Sequence, residues 1–342
     1  MNHSVDVLPS KKQFECEPDE SILNAALRAN VILPYGCKDG ACGSCKADLV
    51  EGQVDYGTYQ SRALSEEERV RGKVLTCCAK PLGPVTLRVR ELSGLGDIPV
   101  KKMPCRLQSI DKPAPDVAVL KLQLPANEVL QFLAGQYIEF ILRDGSRRSY
   151  SLANAPHQEG GIELHIRHMP GGLFTDHVFG AMKEREILRF EGPLGTFFLR
   201  DDARKPVICL ASGTGFAPMK SLLEQAFFKG NTRDFVLYWG GRTKADLYMM
   251  DLARSWEAQH SNFKFVPVLS EPTEACQWSG RTGFVHRAVM EDFPDMSGQQ
   301  VYACGAPVVI DSARRDFVQQ CGLPEDEFFA DSFTSQADVS AQ

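Results

Sequence analysis

Four cysteines have the spacing expected of ligands to an iron-sulfur cluster. Cys37, Cys42 and Cys45 are separated by four and two residues, and Cys77 follows on a later turn. Thiolates spaced in this way bind the two sulfide-bridged irons of a [2Fe-2S] cluster. Glycines within the run let the backbone wrap closely and offer N–H groups to sulfur; they are Gly36, Gly40 and Gly43. A structural zinc site is the alternative, but zinc ligands usually come as two close pairs.

The fourth ligand has a neighbour that is also a cysteine, Cys78. Residues 34–45 and 75–77 resemble the plant-type ferredoxin domain, whose Leu-Thr-Cys-x-Ala pattern falls on Cys77 and Ala79. This resemblance implies a β-grasp fold and favours Cys77 as the ligand. The remaining cysteines lie in apolar or isolated contexts that favour small buried side chains; among them are Cys16, Cys105, Cys209, Cys276 and Cys321.

A second group of residues fits a flavin. Arg148, Tyr150 and Ser151 resemble the Arg-x-Tyr-Ser motif of the ferredoxin-NADP reductase superfamily. An arginine fork matches a pyrophosphate, a tyrosine ring stacks on isoalloxazine, and a serine hydroxyl can bond near flavin N5. The alternative is an ordinary strand with an exposed tyrosine beside an arginine.

A downstream segment supports the flavin interpretation. Arg167 and the run Gly171, Gly172 and Thr175 resemble the superfamily's second phosphate-binding segment, where a helix begins. Backbone N–H groups at such a helix start can hold a pyrophosphate. Residues 192–197 match the turn that ends the superfamily's barrel. The resemblance therefore implies FAD.

The nucleotide signal is a glycine turn between a β-like run and a helix. It comprises Gly213, Thr214, Gly215 and Pro218, and it lacks the third glycine of the Rossmann fingerprint, so an ordinary turn is the alternative. In the superfamily this segment approaches the nicotinamide nucleotide. Cys304, in a Cys-Gly-x-Pro run, resembles the cysteine beside nicotinamide C4 and flavin N5; the alternative is a buried strand end.

Three further residues bear on nucleotide and flavin recognition. Arg242 and Lys244 follow a predicted strand and suit a 2'-phosphate, and no acidic residue is at hand to bind a ribose 2'-hydroxyl. The family nevertheless often carries arginine here in NADH users. We therefore expect NADH, with NADPH possible. Phe333 resembles the residue that covers isoalloxazine, although a core position is equally compatible with its context.

The elements that must position these residues divide the chain into three predicted domains. Residues 1–92 form a ferredoxin-type domain around one helix at 21–30, and 93–103 form a linker. Closely spaced strands predict an antiparallel β-barrel flavin domain at 104–202. Alternating strands and helices predict a doubly wound parallel-sheet nucleotide domain at 203–335. A polar tail spans 336–342. The fold class is thus α+β and α/β multidomain.

Composition limits the classes of partner. The chain has 342 residues, a net charge of -6 and 11 cysteines. It shows no basic footprint, so neither nucleic acid nor a membrane is expected as a partner. The N-terminus is too polar for a signal-peptide core, and the expectation is a cytoplasmic monomer whose cysteines serve as ligands or redox groups.

The whole pattern predicts an electron-transfer reductase. In domain order it resembles CDP-6-deoxy-3,4-glucoseen reductases and the reductase components of bacterial oxygenases. Ser151 and Cys304 would lie at the hydride-transfer centre, and the partner would be an electron-acceptor protein, either a dehydrase or an oxygenase component. A redox-sensing binding protein and a zinc-holding structural adaptor are the alternatives from other classes.

Overall fold

The computed structural model describes residues 2–92, 98–201 and 203–334. Its contacts form two compact units: one runs to Pro99 and resumes at Asp331, and the other is Val100–Ala330. Residues 93–97 of the predicted linker and the predicted tail at 336–342 lie outside the described residues. Among the described residues, no helix is both long and apolar enough to cross a membrane.

The first unit is a mixed sheet of five strands in the order β2-β1-β7-β3-β5. Strands β1 and β7 are parallel, whereas the β1–β2, β3–β7 and β3–β5 pairs are antiparallel. This arrangement confirms the predicted ferredoxin-type fold. Its elements are β1 (His3–Leu8), β2 (Lys12–Cys16), α1 (Ile22–Arg28), β3 (Lys46–Glu51), β4 (Val54–Asp55), α2 (Glu66–Val70), β5 (Lys73–Leu75), β6 (Lys80–Pro81) and β7 (Val85–Arg88).

Helix α1 begins at a side-chain cap. The Ser21 hydroxyl accepts a hydrogen bond from the Asn24 amide at 3.3 Å, which satisfies one of the free N–H groups of the first turn. Four apolar side chains of α1 are fully buried against the sheet. They are Ile22, Leu23, Ala25 and Ala26. The helix is shorter than predicted, because Asn30 adopts a left-handed conformation with φ of 58°.

The second unit begins with an antiparallel sheet in the order β11-β10-β13-β8-β9-β12. A bridge between Leu152 and Leu164 joins its two edges, β11 and β12, so that the sheet closes as a barrel. The predicted flavin-domain architecture is thereby confirmed. Its elements are β8 (Lys101–Ala114), β9 (Val117–Gln123), β10 (Tyr137–Ile141), β11 (Arg147–Ser151), β12 (Ile162–Arg167), α3 (Leu173–Phe179) and β13 (Ile187–Leu194).

A parallel sheet follows in the order β17-β16-β15-β14-β18-β19. Strand β14 pairs in parallel with both β15 and β18, so the strand order reverses beside it, as at the ligand-binding edge of doubly wound sheets. The predicted nucleotide-domain fold is confirmed. Its elements are β14 (Val207–Ser212), α4 (Phe216–Phe228), β15 (Phe235–Gly241), α5 (Met250–Gln259), β16 (Phe263–Leu269), β17 (Arg281–Thr282), α6 (Val285–Asp292), β18 (Gln300–Gly305), α7 (Pro307–Gln320) and β19 (Phe328–Ser332).

Buried charges join the barrel to the parallel sheet within the second unit. Lys220 Nζ of α4 lies 3.2 Å from the Glu163 carboxylate of β12 and 3.0 Å from the Glu224 carboxylate. His165 lies 3.0 Å from the same Glu163 carboxylate, and its other ring nitrogen lies 2.8 Å from the Tyr248 hydroxyl. Burial would raise the pKa of Glu163, but His165 and Lys220 outweigh it and lower the pKa to about 2. Glu163 therefore stays ionised between these partners.

Two adjacent glycines before β12 give a matched test of barrel packing. Gly160 and Gly161 have φ of 108° and 117°, so alanine is strained at both positions. A Cβ on Gly161 would lie 2.0 Å from the Leu122 carbonyl oxygen, whereas a Cβ on Gly160 would meet nothing within 4 Å. Gly160→Ala should cost about 1–2 kcal/mol of stability, and Gly161→Ala a further 1–3 kcal/mol or so from overpacking. Thermal unfolding of the two variants measures the difference in their stability. Equal unfolding midpoints would contradict the additional cost predicted for Gly161→Ala.

Candidate functional site

The predicted cluster ligands come together as two pairs of thiols. The Cys37 and Ser44 amides donate to Cys42 Sγ at 3.4 and 3.5 Å, and Cys45 Sγ lies 3.1 Å from Cys77 Sγ. Within the described ranges, no three His, Cys, Asp or Glu side chains surround a single metal position. A [2Fe-2S] cluster divides four thiolates between two irons, so two pairs are the arrangement that it requires.

One of the four thiols is polarised towards ligation: the pKa of Cys42 is lowered, whereas hydrogen bonds to neighbouring sulfurs together with burial raise the pKa of Cys37, Cys45 and Cys77. A hydrogen bond from the Cys37 thiol lowers the pKa of Cys42 to about 6, against the opposing effect of burial. The thiolate is the form that binds a metal, so this sulfur suits a ligand. Gly40 and Gly43 take positive φ of 76° and 75°, which lets the loop curl around the sulfurs. The residues therefore fit the cluster.

Helix α1 positions the turn that carries Cys77. The first two amides of α1, on Ile22 and Leu23, donate to the carbonyls of Ala79 and Thr76 at 3.0 and 2.8 Å. Thr76 in turn donates from its amide and its hydroxyl to the Cys45 carbonyl, at 3.1 and 3.2 Å. These bonds hold Cys77 beside Cys45. Sequence reasoning assigned no role to Thr76, although it stands within the Leu-Thr-Cys motif.

The neighbouring thiol occupies a different place. Cys78 Sγ is 3.5 Å from Cys77 Sγ, and it packs over Gly40, where an added Cβ would lie only 2.7 Å away. Cys78 thus fills the space that Gly40 leaves open.

The Arg-x-Tyr-Ser residues lie on β11. This strand is at one end of the six-stranded order, next to the bridge that closes the barrel. Tyr150 is opposite Ile138 and Ser151 is opposite Tyr137 on β10. The Tyr150 ring packs against Phe174 of α3, with centroids 5.4 Å apart, and burial raises its pKa so that it stays a neutral phenol. Ser151 is buried, and Arg148 is half-buried with its guanidinium bonded to the preceding carbonyl. The motif thus forms an aromatic surface with a basic residue beside it, which fits a flavin.

The predicted second phosphate segment precedes α3. The Gly171 amide donates to Asp176 at 3.1 Å, and the Gly172 amide donates to the Met169 carbonyl at 2.8 Å. The Thr175 hydroxyl donates to the same Met169 carbonyl at 2.8 Å. Gly171, Gly172 and Thr175 thus shape the turn through hydrogen bonds within the protein. A pyrophosphate would have to be bound in addition to these bonds. Their predicted binding role stays a prediction.

Arg167 ends β12 and has partners that its sequence context did not indicate. Its Nη2 donates to Asp246 Oδ1 at 2.8 Å, and its guanidinium lies against Gly213, where an added Cβ would be 3.2 Å from Nη2. Asp246 is buried after β15. Sequence reasoning found no acidic residue with a role near residues 240–244. The spacing of Asp246 three residues after Thr243, a capping box, was the available signal.

The nucleotide turn and the predicted hydride-transfer cysteine lie in backbone contact. Gly213–Gly215 forms a single tight turn after β14, and a Cβ on Gly215 would lie 2.1 Å from the Cys304 carbonyl oxygen. Thr214 and Pro218 are buried beside this turn, and Cys304 has no exposed surface. The Trp239 indole donates to the Gly213 carbonyl at 2.9 Å. The structure thus brings the two segments together at the point where the strand order reverses.

Two further predicted residues, Arg242 and Phe333, follow the ends of strands. Arg242 is exposed after β15, where its amide donates to Asp246 at 3.1 Å. Phe333 directly follows β19 and is half-buried. The roles assigned to them in nucleotide and flavin binding stay predictions.

Family models match three successive stretches of the chain. The 2Fe-2S iron-sulfur cluster binding domain matches residues 5–82, the oxidoreductase FAD-binding domain residues 104–199, and the oxidoreductase NAD-binding domain residues 209–315. The exact domain limits stay predictions, and strand β8 already begins at Lys101.

Similar proteins match over nearly the full length. The CDP-6-deoxy-L-threo-D-glycero-4-hexulose-3-dehydrase reductase of Yersinia pseudotuberculosis is 44% identical, over 97% of this chain and 99% of the relative. The phenol 2-monooxygenase reductase component DmpP of Pseudomonas is 35% identical, over 100% of this chain and 97% of the relative. The solved GcoB reductase of Amycolatopsis matches with a TM-score of 0.78 and 32% identity, over 97% of this chain and 99% of that one. The chain therefore belongs to the family of NAD(P)H-dependent iron-sulfur flavoprotein reductases that serve dehydrases and oxygenases.

Proposed function

We propose that this reductase uses NADH to supply electrons to a dehydrase that acts on a CDP-linked 6-deoxyhexulose. The supporting observation is the 44% identity to the Yersinia dehydrase reductases over 97% of the chain. Identity to the reductase components of terephthalate dioxygenase and phenol monooxygenase is lower, at 33% and 35%. All of these alignments cover nearly the whole chain, so the lower sequence identity to the oxygenase reductases does not come from a missing domain.

The chemistry requires a group that converts between two-electron and one-electron transfer. A flavin supplies this, because it accepts a hydride from nicotinamide and releases electrons one at a time. The chain's own residues hold the reactants: the β11 motif and the α3 turn on the flavin side, and the Gly213–Gly215 turn with Cys304 on the nucleotide side. We assign the cluster to four thiols. They are Cys37, Cys42, Cys45 and Cys77.

A second candidate partner is the oxygenase component of a bacterial monooxygenase or dioxygenase. The observation that favours it is the structural match to the GcoB reductase, with a TM-score of 0.78. A relative from the same genus is the reductase subunit of an aromatic O-demethylase, 35% identical over 90% of this chain. The two candidates share every step up to the cluster and differ only in the protein that receives the electrons.

The cavity after β15 supports NADH over NADPH. Lys244, Tyr248, Asp251 and Arg254 are among the residues that line a cavity of about 320 Å³ there. A carboxylate such as that of Asp251 can accept a hydrogen bond from a ribose 2'-hydroxyl and repels a 2'-phosphate. Lys244 and Arg254 line the same cavity and would attract a phosphate, so our proposal of NADH rests on Asp251 as the residue that faces the ribose.

We expect the wild-type chain to show at least about tenfold higher kcat/KM with NADH than with NADPH, a difference of about 1.4 kcal/mol. Asp251→Asn should lower the ratio of kcat/KM with NADH to kcat/KM with NADPH, because the carboxylate that repels a 2'-phosphate is removed. Asp295→Asn, which changes an exposed carboxylate after α6, serves as the matched control. Steady-state reduction of ferricyanide measures both ratios. A wild-type preference for NADPH would reverse the assignment.

The electron path can be tested at the fourth thiol. Cys77→Ser should lose or cripple the cluster, because its sulfur lies 3.1 Å from Cys45 Sγ. Ferricyanide, which can take electrons directly from flavin, should still be reduced at nearly the normal rate. Cytochrome c, which in such reductases draws mainly on the cluster, should be reduced far more slowly.

Cys78→Ser is the matched control and should retain both activities and the cluster spectrum. If it abolishes cytochrome c reduction while Cys77→Ser does not, the fourth ligand is one residue later than assigned. Loss of ferricyanide reduction in Cys77→Ser with flavin still bound would contradict the order of transfer.

The partner is tested by reconstitution. The purified reductase and NADH are mixed separately with a CDP-6-deoxyhexulose 3-dehydrase and with a phenol monooxygenase oxygenase component, and partner-dependent NADH oxidation is measured. We expect the dehydrase to give a rate at least about tenfold higher, which corresponds to about 1.4 kcal/mol of preference. A higher rate with the oxygenase component would establish the second candidate instead.

A further inference from the structure

We propose that Arg167 and Asp246 form a strut that sets the nucleotide turn against the flavin barrel, and that both are positioning residues for hydride transfer. This role replaces the pyrophosphate contact expected of Arg167 from its sequence context. The inference rests on the NADH-to-flavin step of the proposed function. Both residues belong to the compact unit Val100–Ala330, so their contact lies within one body.

Asp246 uses both carboxylate oxygens. Oδ1 accepts from Arg167 Nη2 at 2.8 Å, and Oδ2 accepts from the Arg242 amide at 3.1 Å and the Thr243 amide at 2.9 Å. Burial would raise the pKa of Asp246, but the Thr243 amide and Arg167 outweigh it and lower the pKa. The carboxylate therefore stays charged and fastens the loop after β15 to the end of barrel strand β12.

Arg167 contacts the nucleotide turn on its other side. Its guanidinium packs where a Cβ of Gly213 would be, 3.2 Å from Nη2 and 3.3 Å from Cζ. Gly213 has φ of 54°, and its carbonyl is held from the parallel sheet by the Trp239 indole at 2.9 Å. The turn is thus confined between a barrel residue and a residue of β15. A side chain at position 213 would press on the guanidinium and would also be strained by the positive φ.

This contact links the two halves of the hydride-transfer site. Strand β12 closes the barrel against β11, which carries Tyr150 and Ser151, whereas the Gly213 turn faces Cys304. Reacting atoms must be held roughly 3–3.5 Å apart, and an error of 1 Å can cost about a hundredfold in rate. Loss of the strut should therefore slow hydride transfer without releasing FAD.

The test uses full-length holoenzyme carrying Arg167→Gln, Asp246→Asn or both. Arg167→Gln leaves the bonds from Asp246 to the loop intact, so it isolates the strut. Anaerobic stopped-flow measures bleaching of the flavin band by NADH and by NADH deuterated at the transferred position. We expect each single variant to be slower by roughly tenfold or more, with a larger isotope effect and wild-type FAD content, when measured well below its own melting temperature.

Three comparisons separate positioning from general structural damage. The double variant should be no slower than the slower single variant, since both changes remove the same contact. Arg167→Lys should recover part of the rate. Asp111→Asn is the matched control, because Asp111 is an exposed carboxylate on barrel strand β8 and is not part of the strut; it should behave like the wild type.

Three outcomes would overturn the inference. Loss of FAD from Arg167→Gln, with Asp246→Asn retaining both FAD and its normal rate, would make Arg167 a pyrophosphate ligand. If the loss of flavin-reduction rate in the double variant equals the product of the two single losses, the two residues act independently. If both single variants reduce flavin at the wild-type rate, the strut has no role in hydride transfer. A wild-type enzyme that fails to bleach its flavin with NADH is a different result and would contradict the proposed function itself.

Discussion

The FAD- and NAD-binding half of this reductase depends on one backbone contact. It is made between the turn that follows β14 and the carboxyl end of the neighbouring parallel strand, β18. The turn after β14 approaches the Cys304 carbonyl so closely that Gly215 has no room for a side chain. A parallel sheet whose order reverses at β14 places these two ends side by side. Every other part of the nucleotide site is arranged around this contact: Trp239 holds the turn from the sheet, and Arg167 covers it from the barrel.

In the ferredoxin-type domain, the start of a helix holds two segments together, as the sheet edge does in the nucleotide domain. The free amides at the start of α1 need acceptors, and the carbonyls of Thr76 and Ala79 supply them. The same bonds hold Cys77 beside Cys45. The bonds that satisfy the helix terminus thus also hold these two thiols together. They explain how Cys77 is placed beside a residue that lies 32 positions earlier in the chain.

The sequence predicted the three folds and their order because cysteine spacing, strand periodicity and the glycine turns are local signals. The long strand β8 was missed, since Pro104 and Pro113 interrupt its run and β-patterns with proline indicate loops or edges. The partners of Arg167 could not be predicted either. Asp246 lies 79 residues further along the chain, and only the packing of barrel against sheet brings the two together. The motif predicts Cys77 rather than Cys78 as the fourth ligand, and this stays a prediction; the packing of Cys78 against Gly40 could not be predicted from the sequence.

The buried charges around Lys220 have a consequence for the exchange of domains between relatives. Glu163 and His165 belong to the barrel, whereas Lys220, Glu224 and Tyr248 belong to the nucleotide side. Removing one partner from a buried ion pair typically costs about 3–5 kcal/mol, because the other charge is left uncompensated. A chimaera that joins the barrel of one reductase to the nucleotide domain of another must therefore carry matching residues on both sides.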